Sequence, residues 1–179
     1  QRFGDAHIDQ LPDQALRAHE VDDAVAFGAA HPFACAGAEL GAHALVRHHW
    51  PVLPGLLERF ASPSVRHSAT VGGNLVNASP VADLAVLLLA MNAELVLDSD
   101  SGRRHLPLHD FFQGYHQTAR RPDEWLVQIR VALDHPPAQL FYEKISNRRL
   151  DDMAIVNLAL CLRPSTSTKP SRTSARMRL

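Results

Sequence analysis

The chain of 179 residues is poor in cysteine, in aromatic residues and in net charge. Its two cysteines, Cys35 and Cys161, lie far apart and form no CxxC pattern, which excludes a four-thiolate zinc or iron–sulfur site within the chain. Lysine plus arginine total 18 against 19 aspartate plus glutamate, and the net charge of −1 disfavours binding to nucleic acid or to anionic membranes. The scarcity of cysteine favours a reduced compartment, and we expect a cytoplasmic protein.

Long hydrophobic runs are also missing. The longest, Leu84 to Met91, is far shorter than the ~20 residues that a membrane-spanning helix needs. The first twenty residues are polar and lack the apolar stretch of a signal peptide. Apolar residues nevertheless make up 46% of the chain, which is an ordinary globular value and predicts a core that needs no disulfide or metal to stabilise it.

The apolar patterns predict a mixture of short strands and helices. The predicted strands cover 24–29, 93–97, 105–108, 125–133 and 140–145; the predicted helices cover 34–47, 51–61 and 83–91; a helical turn is expected at 109–115, and a helix followed by a strand within 151–162. The stretch 62–80 is a loop by composition, with Ser79 as N-cap and Pro80 in the first turn of the next helix. We expect residues 1–20 to be irregular and 164–179 to be a disordered tail.

Metal and serine chemistry have little support in the sequence. His43, His48 and His49 have no acidic partner at helical spacing and no HExxH pattern, so we predict no metal site. The serines lie in no G-x-S-x-G motif, and no catalytic residue is predicted.

The most informative stretch runs from Thr70 to Asn74 (TVGGN). Paired glycines let backbone N–H groups approach a ligand closely and form a nest for an anion. Ser79 and Pro80 then begin a helix whose N-terminus also favours a phosphate, and Asp83 offers a carboxylate to sugar hydroxyls. Taken alone, the two glycines are weak evidence for a ligand site, and an ordinary tight turn is the better interpretation of them.

The wider series of residues resembles the flavin domain of the molybdenum hydroxylases, the xanthine dehydrogenase type above all. The residues that carry this resemblance are Phe60-Ala61-Ser62, Val65-Arg66, the run from Ala69 to Leu75, Asn77 to Leu84, Leu108 to Tyr115, Pro122 to Leu126, and Lys144, Ser146, Arg148-Arg149 and Asp151 to Asn157. They follow one another in order over roughly 21–162, which makes the resemblance far more specific than the two glycines alone.

The resemblance implies FAD as the cofactor. The TVGGN residues would surround its diphosphate, Phe60 would lie against it, Asp83 would bind the adenosine side, Leu126 would touch the flavin region and Lys144 would hydrogen-bond it. A nicotinamide site would involve Asp151 with Arg148 beside it. The FAD-binding residues implied in this way are Phe60, Thr70, Val71, Gly72, Gly73, Asn74, Ser79, Asp83, Leu126 and Lys144.

The resemblance also implies the fold and the partners. We expect an α+β fold with a mostly antiparallel sheet flanked by helices, as in FAD-binding domains of the p-cresol methylhydroxylase type. Residues 21–134 would form the second FAD-binding subdomain and 138–163 the start of the C-terminal flavin-domain region. The domain would pass electrons from iron–sulfur clusters through FAD to NAD or another acceptor, together with iron–sulfur and molybdopterin-binding subunits or domains.

One departure from the family pattern opens an alternative. The small subdomain that carries a first glycine-containing loop is not recognisable before TVGGN, and the resemblance fades near Leu162. A site that loses one of its two subdomains loses contacts and preorganisation, so we expect weak FAD binding by this chain alone. The alternatives are a truncated, non-catalytic remnant or interaction module that no longer retains FAD, and a nucleotide-phosphate-binding module without redox activity.

Overall fold

A computed structural model describes residues 19–21, 24–28, 37–133 and 139–163 of the chain. Its centre is a five-stranded, fully antiparallel sheet with the strand order β1-β2-β7-β3-β4. The strands of this sheet are β1 (His19–Val21), β2 (Ala24–Gly28), β3 (Glu94–Ser99), β4 (Gly102–Pro107) and β7 (Trp125–Ala132). The fold is therefore α+β with antiparallel pairing, as the resemblance implied.

Short helices separate the second and third strands along the chain. They are α1 (Gly37–Ala42), α2 (Ala44–His49), α3 (Leu53–Glu58), α4 (Pro63–Ser68), α5 (Val71–Val76) and α6 (Asp83–Ala90), with α7 (Leu108–Phe111) after β4. Two small hairpins complete the described residues: β5 (Phe112–Gly114) with β6 (Gln117–Thr118), and β8 (Gln139–Ile145) with β9 (Val156–Leu162).

The core lies between the sheet and the helices. Leu95 and Leu97 of β3 and Ile129 and Val131 of β7 alternate along their strands and share one buried cluster with Leu87 of α6. This period of two directs each apolar side chain to the same face, where its burial stabilises the fold. The opposite face is polar around Glu94, whose carboxylate lies 2.8 Å from His105 Nδ1 and 3.4 Å from an Arg130 guanidinium nitrogen.

A buried carboxylate joins β4 to the turn before β7. Glu124 is buried and accepts hydrogen bonds from Arg104 Nε at 2.5 Å, from Arg104 Nη2 at 2.9 Å and from the Arg121 backbone N–H at 2.7 Å. The hydrogen bonds from Arg104 lower the pKa of the Glu124 carboxyl to about 2. This ion pair therefore stays charged at neutral pH.

Several predicted elements are confirmed, the strands at β2, β3, β4, β7 and β8 and the helix α6 among them. The predicted helix over 34–47 is divided, because His43 has an extended backbone and is the N-cap of α2. The predicted helix at the start of 151–162 is wrong, since bends precede β9 there. Residues 1–18 and 164–179 lie outside the described residues, and β1 begins at His19, inside the stretch predicted to be irregular.

The prediction of a loop over 62–80 is wrong, because this stretch contains α4 and α5. Ser62 caps α4 by accepting a hydrogen bond from Val65 N, and Pro63 occupies the first turn. Thr70 caps α5 in the same way. The small polar residues and proline that indicated a loop are here the start signals of two short helices.

The β8–β9 hairpin packs one face on α6 and leaves the other outward. Leu140, Tyr142 and Ala159 pack against the main core. The outward face and the adjoining bends carry exposed apolar side chains: Phe141, Ile145, Leu150, Met153, Ile155, Val156, Leu158 and Leu162. Among the helices of the described ranges, none has the length and apolar character required to cross a membrane.

Candidate functional site

A cleft of about 280 Å³ lies between the helical layer and the bends that precede β9. Phe60, Asp83, Arg148 and Asp151, which the resemblance implied as site residues, all line this cleft. The remaining lining residues are Ala61, Val81, Asp152 and Met153. The fold thus brings together four implied residues that are separated by up to about ninety positions in the sequence.

Phe60 is held by its backbone at the end of α3. Arg66 of α4 donates hydrogen bonds from Nη1 to the carbonyl oxygens of Phe60 and Ala61, both at 2.7 Å. Ala61 has a φ of 45°, a left-handed conformation that costs a non-glycine residue about 1 kcal/mol or more. The two hydrogen bonds offset this strain and fix the turn that presents the aromatic ring.

The polar centre of the site is a buried ion pair beneath the cleft. Lys144 Nζ of β8 lies 2.7 Å from Asp83 Oδ2, at the first residue of α6, and both side chains are buried. Asn157 of β9 donates from Nδ2 to the other carboxylate oxygen of Asp83 at 2.8 Å. Because each charge has a close partner, the pair is tolerated in the interior.

Lys144 also connects the cleft wall to α3. Its ammonium group donates to the Asp152 carbonyl at 2.7 Å and to the Arg59 carbonyl at 3.4 Å. Arg59 in turn donates to the Lys144 carbonyl and forms an ion pair with Glu143 at 3.3 Å. One lysine therefore ties together α3, α6 and the bends before β9.

The resemblance assigned Asp83 and Lys144 to different parts of FAD, the adenosine side and the flavin region. In the structure the two charged groups lie 2.7 Å apart, and only Asp83 of the two lines the cleft.

Two buried polar atoms in this centre have no hydrogen-bond partner among the described residues: the Tyr142 hydroxyl and Asn157 Oδ1. Burial and the neighbouring Asp83 carboxylate raise the pKa of Tyr142, so its hydroxyl keeps its proton. The Tyr142 hydroxyl lies beside Asp83 and Asn157 in this centre.

The bends at 148–153 are ordered by a carboxylate. Asp152 accepts backbone hydrogen bonds from Arg148 N at 2.8 Å and Met153 N at 3.0 Å, and the bond from Arg148 is the main cause of its lowered pKa. Asp151 adopts a left-handed φ of 51°. This turn brings Arg148 and Asp151 to the cleft.

The glycine nest predicted at TVGGN is instead the first turn of α5. Gly73 N–H donates to the Thr70 hydroxyl at 2.9 Å and Asn74 N–H donates to the Thr70 carbonyl at 3.1 Å, so both amides are used within the chain. A Cβ added at Gly73 would lie 3.0 Å from Thr70 Oγ1. The prediction of a ligand-facing turn is therefore wrong for these two amides, and a side chain at Gly73 would require the Thr70 hydroxyl to shift slightly.

The remaining implied residues differ in their surroundings. Asn74 Oδ1 is buried with no hydrogen-bond partner in the described part of the chain. Leu126 is a core residue of β7, opposite Leu97. The expected N-cap role of Ser79 is wrong, because Ala82 is the N-cap of α6 and the Ser79 hydroxyl accepts from Val81 N at 3.4 Å.

The sequence interpretation missed Arg59, Tyr142 and Asn157 as members of the polar centre. Asn157 lies in the resembling stretch and Tyr142 two residues before Lys144 on the same face of β8, so strand alternation offers a signal for the tyrosine. Arg59 carries no such signal, because its contacts form only when α3 meets β8.

Comparison with known proteins decides the family. A family model described as "FAD binding domain in molybdopterin dehydrogenase" matches residues 7–133 of this chain. The chain belongs to that family. Its cofactor class is FAD, and the enzymes to which this FAD-binding domain is related are oxidoreductases.

Curated relatives agree with this identification of the FAD-binding domain. The chain is 36% identical over 105 residues to xanthine dehydrogenase of Oryza sativa subsp. japonica, and 32% identical over 124 residues to the carbon monoxide dehydrogenase medium chain of Hydrogenophaga pseudoflava. These matches cover 58% and 69% of this chain, but only 8% and 43% of the two relatives. The chain thus spans less than half the length of these proteins.

Solved structures support the fold of the FAD-binding domain. A chain of carbon monoxide dehydrogenase from Hydrogenophaga pseudoflava superposes with a TM-score of 0.77 at 30% identity, covering 84% of this chain and 51% of that one. A carbon monoxide dehydrogenase from Oligotropha carboxidovorans gives the same TM-score at 26% identity, covering 86% and 52%.

Proposed function

We propose that this chain holds FAD for a molybdenum-hydroxylase complex of the xanthine dehydrogenase kind. The redox chemistry is that of FAD, which when bound would connect an iron–sulfur partner to NAD or another acceptor. The protein's own part is to bind and orient the cofactor. Molybdopterin and iron–sulfur groups would lie on other subunits or domains of the complex.

The observation that carries this proposal is the cleft shared by Phe60, Asp83, Arg148 and Asp151 in a chain of the FAD-binding family. An aromatic ring suits the apolar part of a flavin cofactor, and the Asp83 carboxylate suits its sugar hydroxyls. Ligand sites usually combine an apolar wall with a few convergent polar groups of this kind.

The side chain of Asn74 also fits FAD. Asn74 carries a buried amide oxygen without a partner in the described ranges, and a buried acceptor of this kind is normally satisfied. FAD offers ribityl and ribose hydroxyl donors. We therefore assign the side chain of Asn74 to the diphosphate and its adjoining sugar, with Thr70, Val71, Gly72 and Gly73 beside it as the first turn of α5, whose Gly73 and Asn74 amides are used within the chain.

Some of the other proposed residues would contact FAD themselves, and others would only support the residues that do. Phe60 lines the cleft and would touch the cofactor, whereas the paired Asp83 and Lys144 would meet it at one point. Ser79 lies between α5 and α6 and would contribute its hydroxyl. Leu126, which is buried in the core, would act mainly by supporting the helical layer from below.

Reconstitution with FAD tests the proposal directly. The purified chain should take up FAD, show a visible flavin spectrum and bleach on chemical reduction. Binding of ADP without binding of FAD would instead favour a nucleotide-phosphate module. A preparation that takes up neither ligand would favour a remnant and contradict the proposal.

Asn74→Ala separates binding from folding. Removal of an acceptor that has no protein partner should leave the stability of the apoprotein unchanged or slightly raised, while FAD affinity falls about fivefold or more. Gln139→Ala, at an exposed carboxamide on β8, is the matched control and should change neither quantity. Unchanged FAD affinity in Asn74→Ala would exclude this residue from the site.

NAD as the acceptor is a further part of the proposal. Arg148 and Asp151 line the cleft, and an arginine beside it suits a dinucleotide phosphate. NADH should bleach the reconstituted flavin rapidly, and Arg148→Ala should slow the reaction while the neighbouring Arg149→Ala does not. Reduction by dithionite but not by NADH would point to a different acceptor.

A further inference from the structure

We propose that His116 is a positioning residue for FAD binding, because it fixes the segment that joins the two groups of proposed ligand contacts. The inference rests on the proposed function above and adds a residue that neither lines the cleft nor belongs to the residues that carry the resemblance. His116 lies at the tip of the β5–β6 hairpin, 39 positions from the backbone it contacts.

The segment concerned is 77–82, between α5 and α6. Thr70 to Asn74 lie on one side of it, Asp83 on the other, and Ser79 within it. Its N–H groups are bonded locally, from Asn77 to Gly73 O at 3.0 Å, from Ala78 to Leu75 O at 3.0 Å, from Val81 to the Ser79 hydroxyl at 3.4 Å and from Ala82 to Ser79 O at 3.2 Å. The carbonyl groups of Asn77 and Ala78 are bonded from outside the segment, and such contacts fix its position against the rest of the fold.

His116 supplies two such contacts from one residue. Its backbone N–H donates to Ala78 O at 3.2 Å, and its Nδ1 lies 2.5 Å from Asn77 O. A carbonyl oxygen only accepts, so Nδ1 must carry the proton in this contact. Both carbonyls stand at the end of α5, where a helix leaves carbonyl groups without intrahelical partners.

The backbone on both sides of this contact is strained. Ala78 has a φ of 47° and His116 a φ of 51°, and left-handed conformations are uncommon for residues other than glycine. Two adjoining strained residues persist only where the surroundings determine them. Their mutual hydrogen bond is the contact that joins these two conformations.

The hairpin that carries His116 is itself anchored. Phe111, at its base, is fully buried in the core, and Ala119 N–H donates to Phe111 O at 2.8 Å. At the tip, the Tyr115 ring packs edge-on against the His116 ring with 4.2 Å between centroids. The hairpin is therefore fixed at its base by the core, and its tip contacts the end of α5.

The consequence for binding is preorganisation. A ligand that contacts both sides of a loose segment must order it, and that ordering lowers the affinity. With the His116 contacts in place, the order exists before the ligand arrives. Loss of the ring contact should therefore weaken FAD binding about three- to tenfold, with little change in the rest of the fold.

Two variants separate the effect of the imidazole ring from the effect of the left-handed backbone at His116. His116→Gly removes the ring but tolerates the left-handed φ, and His116→Asn keeps a side-chain N–H donor and also tolerates it. We expect His116→Gly to lose affinity for FAD about three- to tenfold and His116→Asn to recover most of it. His109→Ala, at an exposed histidine on α7, is the control and should bind FAD normally. Equal affinity in His116→Gly and the parent would overturn the proposal.

Hydrogen exchange without FAD keeps the inference independent of the proposed function. In the apoprotein, amides of residues 77–82 should exchange faster in His116→Gly than in the parent, while β3 and β7 keep their protection. If the parent binds no FAD, the proposed function fails and the exchange result still decides whether His116 orders the segment. Unchanged exchange over 77–82 would contradict the positioning role.

Discussion

The sheet with its helices and the β8–β9 hairpin differ in how much of their contact is apolar. In the first region, Phe111, Leu95 and Ile129 are fully buried and the fold rests on apolar packing. In the second, the hairpin is attached to α6 by apolar packing of one face and by the Lys144–Asp83–Asn157 centre, while its other face stays apolar and exposed.

This difference between the two regions explains why the cleft forms where they meet. Apolar packing is non-directional and builds a stable platform, whereas an ion pair with defined hydrogen bonds fixes one arrangement of two elements. The cleft lies at the junction of the two regions. An exposed apolar face such as the outer side of the hairpin is typical of surfaces that interact with other molecules.

The largest expected effect concerns the first region. Phe111→Ala removes a side chain that is 0% exposed and should lower the free energy of unfolding by about 3–5 kcal/mol. Chemical denaturation monitored by circular dichroism measures this change. A loss below 1 kcal/mol would mean that apolar packing does not dominate there.

Lys144→Met tests the attachment of the hairpin. It leaves the buried Asp83 carboxylate without its cation, and breaking a buried pair in this way costs about 3–5 kcal/mol, reduced here because Asn157 still donates to Asp83. We expect faster hydrogen exchange in 139–163 and little change in β3 and β7. Uniform destabilisation of both regions would contradict the distinction.

Acid should weaken the sheet region through Glu124. Its folded-state pKa of about 2 lies below the usual 4.5, so its contribution is present above about pH 4.5 and is lost as the pH falls towards 2. The loss should reach about 3 kcal/mol, at about 1.4 kcal/mol for each unit of pKa. Denaturation at several pH values measures it, and Glu124→Gln should remove this part of the pH dependence.

A smaller effect is expected at the start of α5. Thr70→Ala removes the hydroxyl that accepts from Gly73 N–H and should cost about 1 kcal/mol of stability. Thr70→Ser retains an acceptor and should behave like the parent. Thermal denaturation of both variants checks this cap; equal melting temperatures would show that it contributes nothing.

The smallest effect is expected on the outer face of the hairpin. Phe141 is 53% exposed, and Phe141→Ala should change the free energy of unfolding by about 0.5 kcal/mol or less. Phe141→Ala and Phe111→Ala make the same chemical change, so comparing their losses of unfolding free energy compares the two regions directly. A loss near that of Phe111→Ala would show that Phe141 is covered in solution.

Short-range patterns in the sequence were good guides to the elements of the sheet. Alternation predicted β7 and β8, and the apolar run from Leu84 predicted α6. The stretch 62–80 misled because serine, threonine, glycine and proline occur both in loops and at helix starts. Only the hydrogen bonds of Ser62 and Thr70 distinguish the two cases.

The amino-acid sequence by itself determined most strands, because alternation depends on residue types at fixed short spacings, and the family and its antiparallel α+β class followed from the resemblance carried by an ordered series of residues over roughly 21–162. Tertiary structure alone decided that Lys144 meets Asp83 across 61 positions, that TVGGN begins a helix, and that His116 reaches the end of α5. Such contacts depend on how distant elements pack, and no local spacing encodes that geometry.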